Sequence, residues 1–107
     1  MEACVFCKIV DKELDAKIVE ETEDFVVFHD IDPKAPVHLL LIPKKHIISV
    51  DHLEPSDEAL MGKLIMLAQK VARDFKLKGY KLHINVGKEG GQIVDHLHLH
   101  LFGNKEE

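Results

Sequence analysis

His96-Leu97-His98-Leu99-His100-Leu101 alternates three imidazoles with three leucines. In a β-strand successive side chains point to opposite faces, so this stretch, read as a strand, puts all three histidines on one face and all three leucines on the other. The leucine face reads as core. The histidine face carries, three times over, the side chain that titrates near neutrality, where Lys, Glu or Thr would serve solubility equally well. That choice points to chemistry.

Outward from this stretch, Tyr80, Leu82, Ile84 and Val86 alternate with Lys81, His83 and Asn85, which predicts a strand over Tyr80–Val86. Gly87-Lys88-Glu89-Gly90-Gly91-Gln92 links it to the histidine strand. The link predicts an antiparallel pair and, through its backbone N–H groups, a nest for an anion. Further upstream, Leu60, Leu64, Leu67, Ala68, Val71 and Phe75 recur at helical spacing, widened by Met61, Ile65 and Ala72. Ser56 is the expected cap of this helix, Asp57 and Glu58 complement its dipole, and Gly79 ends it. Ala16–Glu21 and Phe25–His29, parted by Thr22-Glu23-Asp24, predict a hairpin. Val37–Ile42 is a third strand after the proline-bearing loop Asp32–Pro36, and Val5–Lys12 a short helix. The expected fold is α+β: a five-stranded antiparallel sheet, one long helix laid on it and a short N-terminal helix, with residues 1–107 forming one domain.

The 107 residues carry a net charge of −5, and their lysines are scattered, so nothing resembles the basic stripe that nucleic acid requires. The longest apolar run, Val37–Pro43, is broken by His38 and too short to cross a bilayer. No secretory or lipidation signal is visible. The two cysteines, Cys4 and Cys7, are spaced for metal or redox use inside a cell, and a cytoplasmic location is expected.

Same-face neighbours on a strand are about 6.6 Å apart, so the Cα atoms of His96 and His100 should lie about 13 Å apart. One metal with bonds of about 2.0 Å to all three rings is disfavoured on that ground. A central imidazole acting as nucleophile between two tuning neighbours suits the spacing better, and His98 is that residue. With an anion nest beside it, phosphorus is the natural electrophile.

The segment Gly90-Gly91-Gln92-Ile93-Val94-Asp95-His96-Leu97-His98-Leu99-His100-Leu101 resembles the signature of the histidine-triad (HIT) family. Phe6-Cys7-Lys8-Ile9, Phe28-His29-Asp30-Ile31, Ala35-Pro36-Val37-His38 and Ile42-Pro43-Lys44-Lys45-His46-Ile47 look like its Hint branch. The resemblance implies a protomer whose sheet continues across a homodimer. It implies hydrolysis of adenosine 5′-phosphoramidates or acyl-nucleotides through a nucleotidyl-histidine on His98, releasing the nucleoside monophosphate without need of a cofactor. His38 and His100 would complete the proton and phosphate network, with Asn85 beside the phosphate. Asp30 would take the ribose hydroxyls, Phe6, Phe28 and Ile31 the purine, and Gly91, Gln92 and Ile93 the phosphate or leaving group. Many relatives have serine where this chain has Ile93, and some have a longer aromatic tail where it has Gly103–Glu107.

Cys4 and Cys7 together with His46 and His96 match positions that some HIT relatives use for a structural zinc. Each assignment has a plainer alternative. The thiols, Phe6, Phe28 and Ile31 could be core, and Asp30 a turn residue before Pro33. A nucleotide-binding scaffold without turnover, a zinc-dependent hydrolase and the cousin branch that cleaves dinucleoside polyphosphates are the competing functions.

Overall fold

The computed structural model describes residues 4–104, so the part of the tail that covers residues 105–107 lies outside the described residues. Its elements are α1 (Val5–Val10), β1 (Ile18–Glu21), β2 (Phe25–His29), β3 (Val37–Pro43), α2 (Glu58–Asp74), β4 (Tyr80–His83) and β5 (Leu99–Gly103). The strands form one sheet in the order β1-β2-β3-β5-β4. Every neighbouring pair is antiparallel. The expected α+β architecture and strand number are thus realised.

The alternation that opened the sequence reading sets the two faces of the sheet. Leu97, Leu99 and Leu101 are at most 1% exposed and pack with Leu39, Leu41 and the Leu64, Leu67, Ala68 and Val71 stripe of α2. Each such leucine contributes about 2 kcal/mol by burial. The opposite face carries Val26, Phe28, Leu40 and Ile42 under Phe6 and Ile9 of α1. The histidines lie on that second face. It is covered rather than wet: His96 and His98 are buried and His100 is half-buried.

Several boundaries differ from expectation, each for a local reason. The ladder between β3 and β5 ends at Leu41 opposite Leu99. Two residues on, Pro43 has no N–H to give a rung, and its carbonyl is taken by the His96 ring at 2.8 Å. His96, Leu97 and His98 therefore precede the strand instead of belonging to it. The β4 ladder ends with His83 opposite His100, so β4 stops short of Val86. Residues Pro55–Asp57 form a 3₁₀ turn, and α2 is entered through reciprocal bonds between Glu54 and Asp57, not through a Ser56 cap. The helix ends at Asp74, where Lys76 takes φ +60°, so Gly79 is not its terminator. Ile65, expected on the apolar stripe, is 47% exposed. At the N-terminal end, α1 stops at Val10, before Lys12 with φ +63°.

Candidate active site

Sheet register lays out the histidine face in rows. His83 of β4 pairs with His100 of β5, which pairs with Leu40 of β3, which pairs with Phe28 of β2. The next row runs Lys81, Phe102, His38. The rings of His98 and His100 are 5.0 Å apart, those of His38 and His100 5.2 Å, and Phe6 stands edge-on to His98 at 5.1 Å. A helix placed before the sheet and a strand at its centre thus meet around one imidazole.

Hydrogen bonds assign the protons on these rings, because a carbonyl can only accept and a backbone N–H can only donate. His98 Nδ1 is 2.7 Å from the His96 carbonyl, so Nδ1 carries the hydrogen and Nε2 keeps its lone pair. Lys34 N–H donates to His38 Nδ1 at 3.0 Å, so neutral His38 carries its hydrogen on Nε2. That Nε2–H faces His100 Nδ1 at 3.0 Å and the Asp30 carboxylate at 3.3 Å. His100 consequently carries its hydrogen on Nε2, an atom that is buried and has no hydrogen-bond partner among the described residues. A buried donor without a partner in the protein suits an incoming oxygen or nitrogen.

Burial lowers the pKa of His98, opposed by its bond to the His96 carbonyl. It lowers that of His38 too, opposed by Asp30. His100 is brought down to about 4, first by burial and then by the nearness of His98 and His38. The three rings are therefore neutral at pH 7. Neutrality is what a nucleophilic imidazole requires.

Cys4, Cys7, His46 and His96 converge, with their ligand atoms within 4.8 Å of one another. The sulfur to Nδ1 distances are 3.3 Å (Cys4 to His96), 3.1 Å (Cys7 to His46) and 3.6 Å (Cys7 to His96). A tetrahedron with Zn–S of about 2.3 Å and Zn–N of about 2.0 Å has edges of about 3.3–3.8 Å, so the set fits. His96 donates from Nε2 to the Pro43 carbonyl, which turns the Nδ1 lone pair toward the thiols, and Cys7 N–H donates to Cys4 Sγ at 3.2 Å. A second cluster, Asp30, His38 and His100, also gathers its ligand atoms within 4.8 Å. It fits poorly: a metal on His38 Nε2 would need a hydrogen on Nδ1, where Lys34 N–H already points.

The remaining sequence-predicted residues divide. Asp30, Ile31 and His38 share a cavity of about 660 Å³, and Ile31 is 97% exposed, so it is not core. Asp30 also accepts the Asp32 N–H at 2.8 Å, serving its turn as well. Phe6 and Phe28 are buried edge-to-face at 5.6 Å beneath the histidines, outside that cavity's lining. Asn85 lies against Gly91, whose φ of +92° is the left-handed conformation that L side chains rarely adopt. Gln92 is buried and wholly engaged: Gly87 N–H donates to its Oε1, and its Nε2 donates to the Ile48 and Val94 carbonyls. Ile93 is 92% exposed.

The anion nest expected over Gly87–Gln92 is not formed as drawn. Gly87, Gly90, Gly91 and Gln92 N–H groups all bond within the turn itself. Two residues escaped the sequence reading. Phe102 stacks parallel to His100 and lies 4.3 Å from His38, and continuing the i, i+2 series from His96 would have found it. His83, read there only as an alternating strand residue, donates to Asn85 Oδ1 at 2.6 Å and touches His100. Its place two residues before Asn85 was the available signal.

The HIT domain family model matches residues 11–107. Protein HitA of Neisseria gonorrhoeae is 47% identical over 104 residues, covering 96% of this chain and 97% of its own. A HIT family hydrolase from Legionella pneumophila superposes with a TM-score of 0.93 at 43% identity, over 96% of this chain and 94% of that one. A histidine triad nucleotide-binding protein from Candida albicans gives 0.87 at 31%, over 98% and 77%. Matched along nearly its whole length by sequence and by structure, the chain belongs to the HIT domain family.

Proposed function

We propose that the chain is a nucleotide-binding hydrolase of the Hint branch, cleaving adenosine 5′-phosphoramidates or acyl-nucleotides at the α-phosphorus. The observation that carries this reading is the pinned tautomer of His98, which leaves a neutral Nε2 lone pair beside the unmatched Nε2–H of His100. His98 Nε2 attacks phosphorus in line as the bond to the leaving group breaks, giving a nucleotidyl-histidine and releasing an amine that takes its proton from solvent, or a carboxylate that needs none. His100 Nε2–H, with Asn85, stabilises the phosphoryl oxygens, and His38 holds His100 in the donating tautomer. Water then attacks phosphorus and loses a proton to solvent, the phosphorus–nitrogen bond breaks to restore the His98 Nε2 lone pair, and the nucleoside monophosphate leaves. Asp30 and Ile31 receive the nucleoside in their cavity. Phe6 and Phe28 support the nucleophile from below, and Gly91, Gln92 and Ile93 shape the rim.

Cys4, Cys7, His46 and His96 would hold a zinc ion, whose contribution when bound is to fasten α1 to the sheet. Its clamp reaches His98 only through the chain. Phe6 stands between the two cysteines, and His96 offers the nucleophile its carbonyl. We further propose that residues 1–107 act as one domain and that the sheet continues across a homodimer at β4. All four β4 residues are exposed, with Tyr80 and Leu82 presenting apolar surface at the sheet edge. The free thiols suit a cytoplasmic setting. No described helix is long and apolar enough to cross a membrane.

The test is release of AMP from adenosine 5′-phosphoramidate by the purified protein. His98→Ala is expected to abolish it, and full activity in that variant would overturn the reading. A second reading, a nucleotide-binding scaffold, is favoured by Ile93, which puts an exposed apolar side chain where a hydroxyl could bind the phosphate. Micromolar AMP binding without turnover would select it.

A further inference from the structure

This acidic chain gathers three lysines around one cavity. About 950 Å³ in volume, it opens at the β4 end of the histidine face, where Lys34, Lys78, Lys81, His83, Phe102 and Asn104 line it. No carboxylate is among its described lining residues. The Lys34 ammonium is 2.7 Å from Asp32 and so partly neutralised, whereas that of Lys81 lies 5.7 Å over the Phe102 ring. Of these two, Lys81 is the less neutralised.

The cavity adjoins the reaction centre through shared residues. The His83 and His100 ring centroids are 5.9 Å apart, and Phe102 stacks on His100 and lies tilted against His38 at 4.3 Å. Pro36 borders this cavity and also the one that holds Asp30, Ile31 and His38. The histidines thus stand between a compartment lined by two carboxylates and one lysine, Asp15, Asp30 and Lys17, and a compartment rimmed by cations. Displacement at phosphorus has two substituents to place, one retained and one expelled. A sugar with neutral hydroxyls is served by a carboxylate acceptor, and the other substituent must then meet the cations.

Resting on the nucleoside reading above, we infer that the Lys34–Lys81–His83 cavity is the leaving-group subsite and selects leaving groups that carry an anionic substituent, a carboxylate or a phosphate. Edge pairing of β4 with a second copy would use main-chain groups and leave Lys81 on the histidine face.

The experiment uses two adenosine 5′-phosphoramidates built on one amine skeleton, the first ending in a carboxylate and the second in the matching carboxamide. A third compound ending in a phosphate separates the two anions. Dissociation constants are measured by calorimetry on His98→Ala, and kcat/KM on the unaltered protein. The acid is expected to bind about tenfold more tightly than the amide at low ionic strength. The ratio should shrink at about 1 M salt, where the screening length is about 3 Å. Lys81→Glu, at an exposed strand position, is expected to bring the acid-to-amide ratio to about one. A ratio of one in the presence of Lys81, or a ratio that Lys81→Glu does not move, overturns the inference. If no compound is turned over, the hydrolase reading falls, and the binding ratios still decide the subsite.

Discussion

Two substitutions at His38 separate its two hydrogen bonds. The ring accepts Lys34 N–H on Nδ1 and donates from Nε2 to His100 Nδ1, each over 3.0 Å. An asparagine oxygen falls near the place of Nδ1, and a glutamine nitrogen near the place of Nε2. His38→Asn should therefore keep the Lys34 loop bonded but release His100, whereas His38→Gln should keep His100 donating outward and orphan the Lys34 N–H. One buried hydrogen bond biases the His100 tautomer by about 1–1.5 kcal/mol, so its loss in His38→Asn is expected to lower kcat/KM about tenfold. Stability in that variant should fall by less than about 1 kcal/mol. His38→Gln should show the reverse, about 1–3 kcal/mol lost to the unpaired N–H and kcat/KM within about threefold. Urea unfolding gives the stabilities. ¹⁵N spectra of the imidazoles report the His100 tautomer even without substrate. Equal behaviour of the two variants, or a His100 whose hydrogen sits on Nδ1 with His38 in place, would refute the relay.

Acid should destabilise the fold through His100. Its folded pKa of about 4 lies below the ordinary 6.5, so the unfolded chain takes up a proton first as pH falls, and stability is lost between about 6.5 and 4. After screening this amounts to about 2 kcal/mol, and His100→Gln should flatten that part of a urea-stability profile against pH. Purified protein should hold about one zinc per chain through its two thiolates and two imidazoles, and a strong chelator should lower Tm by several degrees. Metal analysis that finds no zinc, or an unmoved Tm after confirmed metal loss, would contradict the tetrahedral assignment. Ile93→Ser, which gives an exposed rim position a hydroxyl, should raise kcat a few-fold without altering stability by more than about 0.5 kcal/mol. Steady-state kinetics beside a melt would show either failure.

The sequence was most legible where one side chain answers to one periodicity. Leu97, Leu99 and Leu101 had to go to the core, and that fixed the face on which the histidines stand. The α2 stripe was readable for the same reason. Boundaries were less so, because they depend on partners in space: β5 begins at Leu99 only because Pro43, remote in sequence, cannot supply a rung. The glycine-rich link was misread because Gln92 reaches back to Gly87 and uses up a donor that composition alone presents as available. Alternation could have joined His83 to Asn85, but its contact with His100 comes from strand register, which the local pattern does not reveal. The convergence of His46 and His96 on the two cysteines came from resemblance and is a fact of folding, since thirty-nine residues separate Cys7 from His46.

The central claim is a covalent bond between His98 Nε2 and the substrate phosphorus. Acid-labile adducts survive in alkaline quench, so the protein should be mixed with adenosine 5′-phosphoramidate, quenched within the first turnover and mapped by peptide mass spectrometry. An added nucleoside monophosphoryl group is expected on the peptide that contains His98, and none in His98→Ala. An adduct on another residue, or undiminished AMP release from a protein that never carries one, would contradict this claim.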